Sequence, residues 1–210
     1  MHVTIISRSA CKYINEKIQE FIRFLSYIWN MSKNLDESGL KSIVSEYDLF
    51  FIDIWGVVHN GIKLYENSVK VLEELSINKK KFILLTNAPR PNLTVINTLK
   101  KMGLNDFSDT VFTSGEASKR YLLENFNNKK FFHLGPPRDF DLFKTFEDNK
   151  VLNIDDSDYL LCSGLFEEHE DDLGYYKNLL SKHITKKMIC TNPDFIVDRG
   201  DKREYCAGSI

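Results

Sequence analysis

Two short stretches of this sequence place reactive side chains directly after apolar runs. Asp53 ends one run and is followed closely by Gly56 and Gly61, while Thr86 and Asn87 end a second run. A carboxylate can attack phosphorus or carbon and form a covalent intermediate that water later resolves. A hydroxyl with neighbouring backbone N–H groups can hold the oxygens on which negative charge accumulates. Together the two stretches predict a group-transfer site with Asp53 as the nucleophile.

The apolar runs themselves predict the strands that carry these groups. The run from Tyr47 to Ile54 is apolar except for Asp48 and Asp53, which favours a parallel strand covered on both faces. The segment Phe82–Leu85 is typical of a second buried strand. Both strands therefore end on polar side chains.

Helices between and after these strands set the chain direction. One helix begins at Glu66 or Asn67, and a second follows Pro91 and ends near Gly103. Alternation of strand and helix predicts a parallel sheet with right-handed crossovers. Ligands bind beyond the carboxyl ends of the strands in such sheets, so the reactive side chains should meet at one edge.

The rest of the chain continues the alternation. Further predicted elements are a short polar helix from Asp36 to Glu46, strand Thr110–Thr113, helix Glu116–Phe126, strand Phe131–Leu134, strand Tyr159–Cys162, helix Leu173–His183, strand Met188–Cys190 and strand Phe195–Val197. These elements place the protein in the α/β class.

Composition limits the classes of partner. The 210 residues carry 28 basic and 30 acidic side chains and a net charge of -2, which gives no overall field for nucleic acid or an anionic membrane. No stretch approaches the ~18 consecutive apolar residues of a membrane helix. The cysteines Cys11, Cys162, Cys190 and Cys206 show neither a CxxC pair nor a short disulfide spacing, which indicates a reducing, cytoplasmic setting.

The first thirty residues predict an amphipathic helix, with apolar side chains at helical spacing between Tyr13 and Trp29. Interspersed charges exclude a signal-peptide core. Three interpretations stay open: a packing or dimerising helix, an interfacial anchor, or an upstream extension of a chain that starts at Met31. A homo-oligomer is likewise left open.

The two reactive stretches resemble motifs of the haloacid dehalogenase (HAD) superfamily, and within it the class IIA hydrolases, which carry a large cap after the second motif. The segment Asp53–Val57 with Gly61 resembles the first motif, and Leu84–Arg90 resembles the second. Thr113–Ala117 and Thr191–Asp194 resemble the pattern around the start and the end of the cap. The resemblance covers roughly residues 47–208.

The resemblance implies a function and roles for individual residues. It implies hydrolysis of a small phosphorylated metabolite through an aspartyl-phosphate on Asp53, with Thr86 and Asn87 binding the phosphoryl group. It also implies a Mg²⁺ ion held by Asp53 and by the backbone carbonyl of Trp55.

Two features of the sequence depart from the family pattern. Phosphatases of the family carry a second aspartate where this chain has Trp55, and an indole can neither protonate a leaving group nor activate water. His59 is a candidate substitute acid, although a structural role in a turn is the simpler interpretation. The lysine and the acidic pair that follow the cap in the family do not occur before Ile210, so we expect a truncated core with exposed apolar surface.

The resemblance also implies a domain organisation. We expect an N-terminal extension at 1–34, a Rossmann-like core with a parallel sheet at 35–104, an inserted α/β cap at 105–199, and the start of a return to an incomplete core at 200–210. The leading function is a phosphatase. The alternatives are a catalytically inert remnant or binding module, and a dehalogenase-like hydrolase, because that branch of the family has an aromatic residue at the position of Trp55.

Other polar groups have simpler explanations. The acidic runs at 155–158 and 167–172 are explained by a solvated loop and a charged helix start, and neither needs a bound metal. His133, inside an apolar strand, is expected to be a hydrogen-bonded core histidine.

Overall fold

The computed structural model describes residues 39–107 and 110–210. The described residues up to Tyr47 belong to one compact unit, and residues Asp48 to Ile210 form another. The predicted N-terminal extension at 1–34 lies outside the described residues.

In the first unit, two 3-10 turns, Leu40–Ser42 and Val44–Glu46, stand where the sequence predicts the end of a polar helix. The described part of that segment is helical, but it forms two short 3-10 helices rather than one continuous helix. The Ser42 hydroxyl donates to the carbonyl oxygen of Gly39, at 2.9 Å, and Gly39 has a φ of 64°. A serine that bonds the backbone locally competes with a regular helix, and the chain forms short turns instead.

The first sheet of the second unit has three parallel strands in the order β1-β2-β3. They are β1 Leu49–Asp53, β2 Lys81–Thr86 and β3 Val111–Thr113. Asp53 pairs in register with Leu85, so the last residues of β1 and β2 lie at the same edge of the sheet, as the sequence predicts. The third strand comes from beyond residue 104, and the division into a core at 35–104 and a cap at 105–199 stays a prediction.

Two helices follow β1 and β2, respectively: α1 Glu66–Ile77 and α2 Asn92–Lys101. Their apolar stripes bury Leu72 and Leu75 of α1, and Val95 and Leu99 of α2. Apolar residues at this spacing lie on one side of a helix and pack against a sheet. The two crossovers thus direct the ends of β1 and β2 to one edge.

The prediction that β1 is covered on both faces is wrong. Leu49 and Phe51 are 43% and 66% exposed, and Leu85 beside them on β2 is 42% exposed. β1 is the edge strand of the three-stranded sheet, and its residues alternate between exposed and half-buried.

The second sheet has four parallel strands in the order β5-β4-β6-β7. They are β4 Phe131–Leu134, β5 Lys150–Val151, β6 Tyr159–Cys162 and β7 Lys187–Cys190. Every residue of β6 is buried, and the strand packs with Phe131, Leu142 and Phe143 in a hydrophobic core beside this sheet.

Two further helices lie beside this sheet, α3 Ser114–Asn125 and α4 Leu173–Ser181. Each begins with a capping side chain, because Thr113 and Asp172 accept hydrogen bonds from backbone N–H groups of their first turns. The mixed α/β class with parallel sheets is therefore confirmed.

An antiparallel hairpin ends the chain, with β8 Ile196–Arg199 and β9 Lys202–Tyr205, followed by a 3-10 turn at Ala207–Ser209. Gly200, with a φ of 60°, lies in its turn. Within residues 39–107 and 110–210, no helix combines the length and the apolar character that crossing a membrane requires.

Candidate active site

Asp53 ends β1 with its carboxylate held by the backbone. The N–H of Ile54 donates to Asp53 Oδ1 at 2.7 Å. Burial raises the pKa of Asp53, the hydrogen bond from Ile54 opposes this, the nearby charge of Asp194 raises the pKa further, and a hydrogen bond from the Trp55 backbone lowers it. The carboxylate is thus fixed in orientation and lies close to a second acid.

The loop after Asp53 is a tight turn built around one carbonyl. The Ile54 oxygen accepts hydrogen bonds from the N–H groups of residues 57, 58 and 59. Gly56 and Gly61 have φ values of 77° and 84°, a region that side chains disfavour. A Cβ on Gly61 would also lie 2.6 Å from the Trp55 ring. Both glycines are therefore required where the sequence places them.

The Trp55 indole holds the C-terminal hairpin. Its Nε1 donates to the carbonyl oxygen of Asp198 at 2.8 Å, and the Arg199 guanidinium lies over the ring at 5.1 Å from the centroid. The ring also meets His59 edge-on, at 5.1 Å. The Trp55 side chain therefore packs against the hairpin and donates one hydrogen bond to it.

His59 is buried inside the same turn. Its Nδ1 accepts a hydrogen bond from the N–H of Gly61 at 2.8 Å. Burial lowers the pKa of His59, and the charge of Arg199 lowers it further. The ring is neutral, with its proton on Nε2, and it lines a cavity that does not include Asp53. Its role as an acid stays a prediction, while its role in the turn is visible.

Thr86 and Asn87 follow β2 at the edge where Asp53 lies. The Thr86 side chain is buried, and its Oγ1 accepts the N–H of Ala88 at 3.2 Å, which leaves its O–H free to donate. Asn87 Nδ2 donates to Asp194 Oδ1 at 2.9 Å. The structure therefore brings Asp53, Thr86 and Asn87 together, as the sequence predicts.

Asp194 is the residue that sequence reasoning did not single out. It follows β7 in the segment Thr191–Asp194, and its backbone N–H donates to Asn192 Oδ1 at 3.1 Å. A polar side chain soon after a parallel strand is the same signal that indicated Asp53 and Thr86. The sequence shows that Asp194 follows a strand. It does not show that the end of this strand, in the second sheet, lies beside the first sheet.

Two cavities meet at this edge, and they share Trp55, Thr86, Asp194 and Val197. We call one the Asp53 cavity, of about 440 Å³, which is also lined by Gly56, Asn60, Tyr65, Asn87, Ile196, Asp198 and Gly200. We call the other the Arg90 cavity, of about 410 Å³, whose lining includes Arg90, Arg138, Asp139 and His59.

The charge of the Asp53 cavity is one-sided. Its lining contains three carboxylates, Asp53, Asp194 and Asp198, and none of its described lining residues is Lys or Arg. Within the part of the chain that the structure describes, no group of three or more His, Cys, Asp and Glu side chains is placed to bind a metal ion. This includes the described acidic runs at 155–158 and 167–172.

A buried hydrogen-bond chain joins the second sheet to the loop after β2. His133 Nε2 lies 2.9 Å from Ser163 Oγ, which donates to Asp139 Oδ2 at 2.8 Å. Asp139 Oδ1 accepts from Arg90 Nε at 3.2 Å. Because the Ser163 hydroxyl hydrogen goes to the carboxylate, His133 donates from Nε2. His133 is thus a hydrogen-bonded core histidine, as predicted.

Two members of this hydrogen-bond chain, Asp139 and His133, have shifted pKa values. Burial raises the pKa of Asp139, while Ser163 and Arg90 act to lower it. Burial, with a smaller contribution from Lys150, lowers the pKa of His133 to about 4. His133 is therefore neutral at physiological pH.

Comparison with known proteins supports the resemblance. Residues 50–147 match the family of haloacid dehalogenase-like hydrolases. A hydrolase of the haloacid dehalogenase-like family from Brucella suis 1330 is 28% identical, with a TM-score of 0.73 over 81% of this chain and 63% of its own. A 4-nitrophenylphosphatase from Thermotoga maritima is 25% identical, with a TM-score of 0.59 over 80% of this chain and 63% of its own.

A glycerol phosphate phosphatase from Mycobacterium tuberculosis, solved in complex with magnesium, shares the fold at 19% identity and a TM-score of 0.58. The match covers 80% of this chain and 51% of the phosphatase. None of the curated proteins compared with this chain matches it. The resemblance to the haloacid dehalogenase superfamily, and within it to the class IIA hydrolases, is confirmed. The chain spans less than two thirds of the length of these relatives.

Proposed function

We propose that this chain carries the nucleophile and the phosphate-binding loop of a magnesium-dependent hydrolase of small phosphate esters. The observation that carries the proposal is that Asp53, Thr86 and Asp194 line one cavity at the carboxyl edge of a parallel sheet. The similarity to a 4-nitrophenylphosphatase supports a phosphate ester as the substrate.

The proposed reaction uses Asp53 as a carboxylate. One of its oxygens attacks phosphorus, the ester P–O bond breaks, and the alcohol leaves with the bonding electrons and takes a proton from water. Water then attacks phosphorus in the acyl phosphate, which releases inorganic phosphate and restores Asp53. The Thr86 hydroxyl is placed to donate to a phosphoryl oxygen in both steps.

A cation would resolve the charge problem of the Asp53 cavity. The Asp198 carboxylate is paired with Arg203, but Asp53 and Asp194 repel a phosphate dianion, and no described basic side chain in the lining offsets them. Mg²⁺ is usually bound through one or two carboxylates, with waters and substrate phosphate completing its shell. Asp53 and Asp194, with the backbone carbonyl of Trp55, are oxygen donors that fit such a partial set. When bound, the ion would supply positive charge next to the phosphoryl group.

The indole at position 55 restricts the choice of leaving group. A missing general acid typically costs ~10²- to 10⁴-fold in rate. This loss of rate should be smaller for a phenolate leaving group, which is stable without a proton, than for an alkoxide leaving group. We therefore expect aryl phosphates to be hydrolysed faster than alkyl phosphates.

The test is hydrolysis of 4-nitrophenyl phosphate with and without Mg²⁺. We expect turnover that a chelator stops and that Asp53→Asn abolishes. Asp198→Asn is the matched control, because Asp198 lines the same cavity while its carboxylate is exposed and paired with Arg203. Turnover that persists in Asp53→Asn would refute the nucleophile assignment. Absence of turnover in the unaltered protein would favour the binding module instead.

A second variant tests the contact between the two acids. Asp194→Asn removes a charge that raises the pKa of Asp53, so Asp53 should ionise at lower pH. The acidic limb of the pH–rate profile should then move to lower pH. An unchanged limb would show that Asp194 does not act on the nucleophile.

A further inference from the structure

Two cysteines that are distant in sequence lie side by side at the ends of neighbouring strands. Cys162 ends β6 and Cys190 ends β7, and the two residues are direct partners in the parallel register. Adjacent strands are ~4.8 Å apart, which lies within the ~4.4–6.8 Å Cα separation that disulfides span. In-register partners point to the same face, so both thiols lie on one side of the sheet.

The two thiols differ in exposure and in their bonding. Cys190 is exposed, whereas Cys162 is fully buried. The neighbouring Cys162 thiol lowers the pKa of Cys190, while the neighbouring Cys190 and burial together raise the pKa of Cys162. The backbone of Asn192 also lowers the pKa of Cys190. The exposed Cys190 is thus the more acidic of the two thiols, and the buried Cys162 keeps its proton, with its Sγ donating to the carbonyl oxygen of Gly164.

A third cysteine nearby shows what an ordinary buried thiol looks like in this fold. Cys206 is 8% exposed, and burial raises its pKa to about 11. It has no cysteine partner in a strand register among the described residues. Thiol chemistry depends on thiolate character and access, so Cys206 is expected to be inert where Cys190 is reactive.

We propose that Cys190 and Cys162 form a peroxide-sensitive pair, in which Cys190 is the attacking thiolate and Cys162 is the resolving thiol. Low-pKa, accessible cysteines beside a second cysteine are typical of redox sensors.

The oxidant is a hydroperoxide, and the steps balance with it alone. The Cys190 thiolate attacks one peroxide oxygen, the O–O bond breaks, and the departing oxygen leaves as hydroxide and is protonated to water. Cys162 then loses its proton and attacks the sulfur of the sulfenic acid on Cys190. The S–O bond breaks, and the second oxygen leaves as water. Two thiols lose two electrons in total, and hydrogen peroxide becomes two waters.

The position of the pair links it to the site. Cys190 Sγ lies 3.2 Å from the carbonyl oxygen of Asn192, and Asn192 Oδ1 in turn holds the N–H of Asp194. Thr191 donates from both its N–H and its hydroxyl to the carbonyl oxygen of Cys162. A disulfide would draw the Cys190 sulfur toward Cys162 and displace the turn that holds Asp194 in the Asp53 cavity. This last effect rests on the proposed function, while formation of the disulfide does not.

The experiment follows the thiols of the reduced full chain during treatment with hydrogen peroxide. Free thiols are blocked with N-ethylmaleimide at each time point, and the peptides are identified by mass spectrometry. We expect a cross-linked Cys162–Cys190 peptide, reversed by a phosphine reductant. A thiolate of lower pKa is intrinsically less nucleophilic, which partly offsets the larger thiolate fraction of Cys190. With this included, Cys190 should still be consumed at least about tenfold faster than Cys206 in the same protein.

Variants separate the two roles. In Cys162→Ser, Cys190 should stop at a sulfenic acid that dimedone traps, and in Cys190→Ser no cross-link should form. Cys206→Ser is the matched control and should behave like the unaltered protein. Equal rates for Cys190 and Cys206 would overturn the proposal without any variant, as would a cross-link that excludes Cys162.

Hydrolysis of 4-nitrophenyl phosphate, measured on the same samples, tests the link to the site. A rate that falls on oxidation and recovers on reduction would support the displacement of Asp194. A rate unchanged in the disulfide form would refute that link and leave the thiol chemistry standing. Absence of hydrolysis in both forms would count against the proposed function alone.

Discussion

His133 provides a measurable link between pH and the stability of this fold. It is 6% exposed, and it donates to Ser163 at the far end of the chain of hydrogen bonds that reaches Arg90. The prediction concerns His133→Gln. A glutamine amide can still donate to Ser163, but it does not titrate.

The magnitude follows from the two pKa values of this histidine. Burial lowers the pKa of His133 from 6.5 to about 4 in the folded chain, and the unfolded chain should titrate at the ordinary value. Between these values the unfolded state binds more protons, so stability rises with pH through this window. The stabilisation is complete above about 6.5 and is lost as the pH falls through about 4. The difference corresponds to about 3 kcal/mol.

Asp139 contributes with the opposite sign. Burial raises its pKa above 3.8, so the folded state binds more protons than the unfolded state and loses stability as the pH rises from that value. This contribution is present in both the unaltered protein and His133→Gln, and it cancels in the comparison. The difference between the two pH profiles therefore isolates His133.

The assay is urea unfolding followed by circular dichroism between pH 4 and 7. The free energy of unfolding of the unaltered protein should fall by about 3 kcal/mol more than that of His133→Gln over this range. His169→Gln, which removes a histidine outside the chain of hydrogen bonds, controls for the loss of any one histidine. Parallel profiles for the unaltered protein and His133→Gln would refute the assignment of His133 as a buried neutral group.

Two further predictions concern the loops that position the site. In Gly115→Ala, the new Cβ would lie 2.2 Å from the backbone nitrogen of Arg90, so the loop must move, and we expect a loss of about 1–3 kcal/mol in thermal or urea unfolding. Gly174→Ala is the control, because its Cβ would meet only a side-chain oxygen, at 3.1 Å, and a melting temperature lowered equally by both changes would contradict the prediction. Trp55→Phe removes the hydrogen bond to Asp198 and should cost about 1 kcal/mol, seen as faster amide hydrogen exchange in the β8–β9 hairpin. Unchanged exchange there would show that the indole N–H does not hold the hairpin.

Local patterns were sufficient to predict most of the elements. Strands Phe131–Leu134 and Tyr159–Cys162 have the predicted bounds, because short apolar runs between polar segments define buried strands. The exposure of β1 was not predictable in the same way. An apolar run indicates a strand that can be buried. Whether other segments cover that strand depends on the rest of the chain and not on the run itself. Phe51 is exposed for that reason.

The site residues also fall into those that local patterns predict and one that they do not. Asp53, Thr86 and Asn87 could be placed together because each follows a strand of one parallel sheet. Asp194 lies 107 residues beyond Asn87, and it reaches the cavity only because β7 of the other sheet ends beside it. No spacing rule covers that distance.

The cysteine pair shows the same limit of sequence spacing. Cys162 and Cys190 are too far apart in sequence for a CxxC motif, and their spacing indicated only a reducing environment. The register of β6 against β7 makes them neighbours. Pairing of strands from sequence alone does not fix that register, since a shift of one residue would point the two thiols to opposite faces.

Asp194 is the point where these separate features meet. Its backbone is held through Asn192 by the turn that begins at Cys190, and its carboxylate is held by Asn87 of the loop after β2. Its charge raises the pKa of Asp53 on a third segment. Because polar contacts join the end of β7 to the loop after β2, we expect a movement of the turn at Asn192 to change the charge around Asp53. Asp194 thus connects the end of the second sheet to the chemistry proposed for Asp53 at the edge of the first sheet.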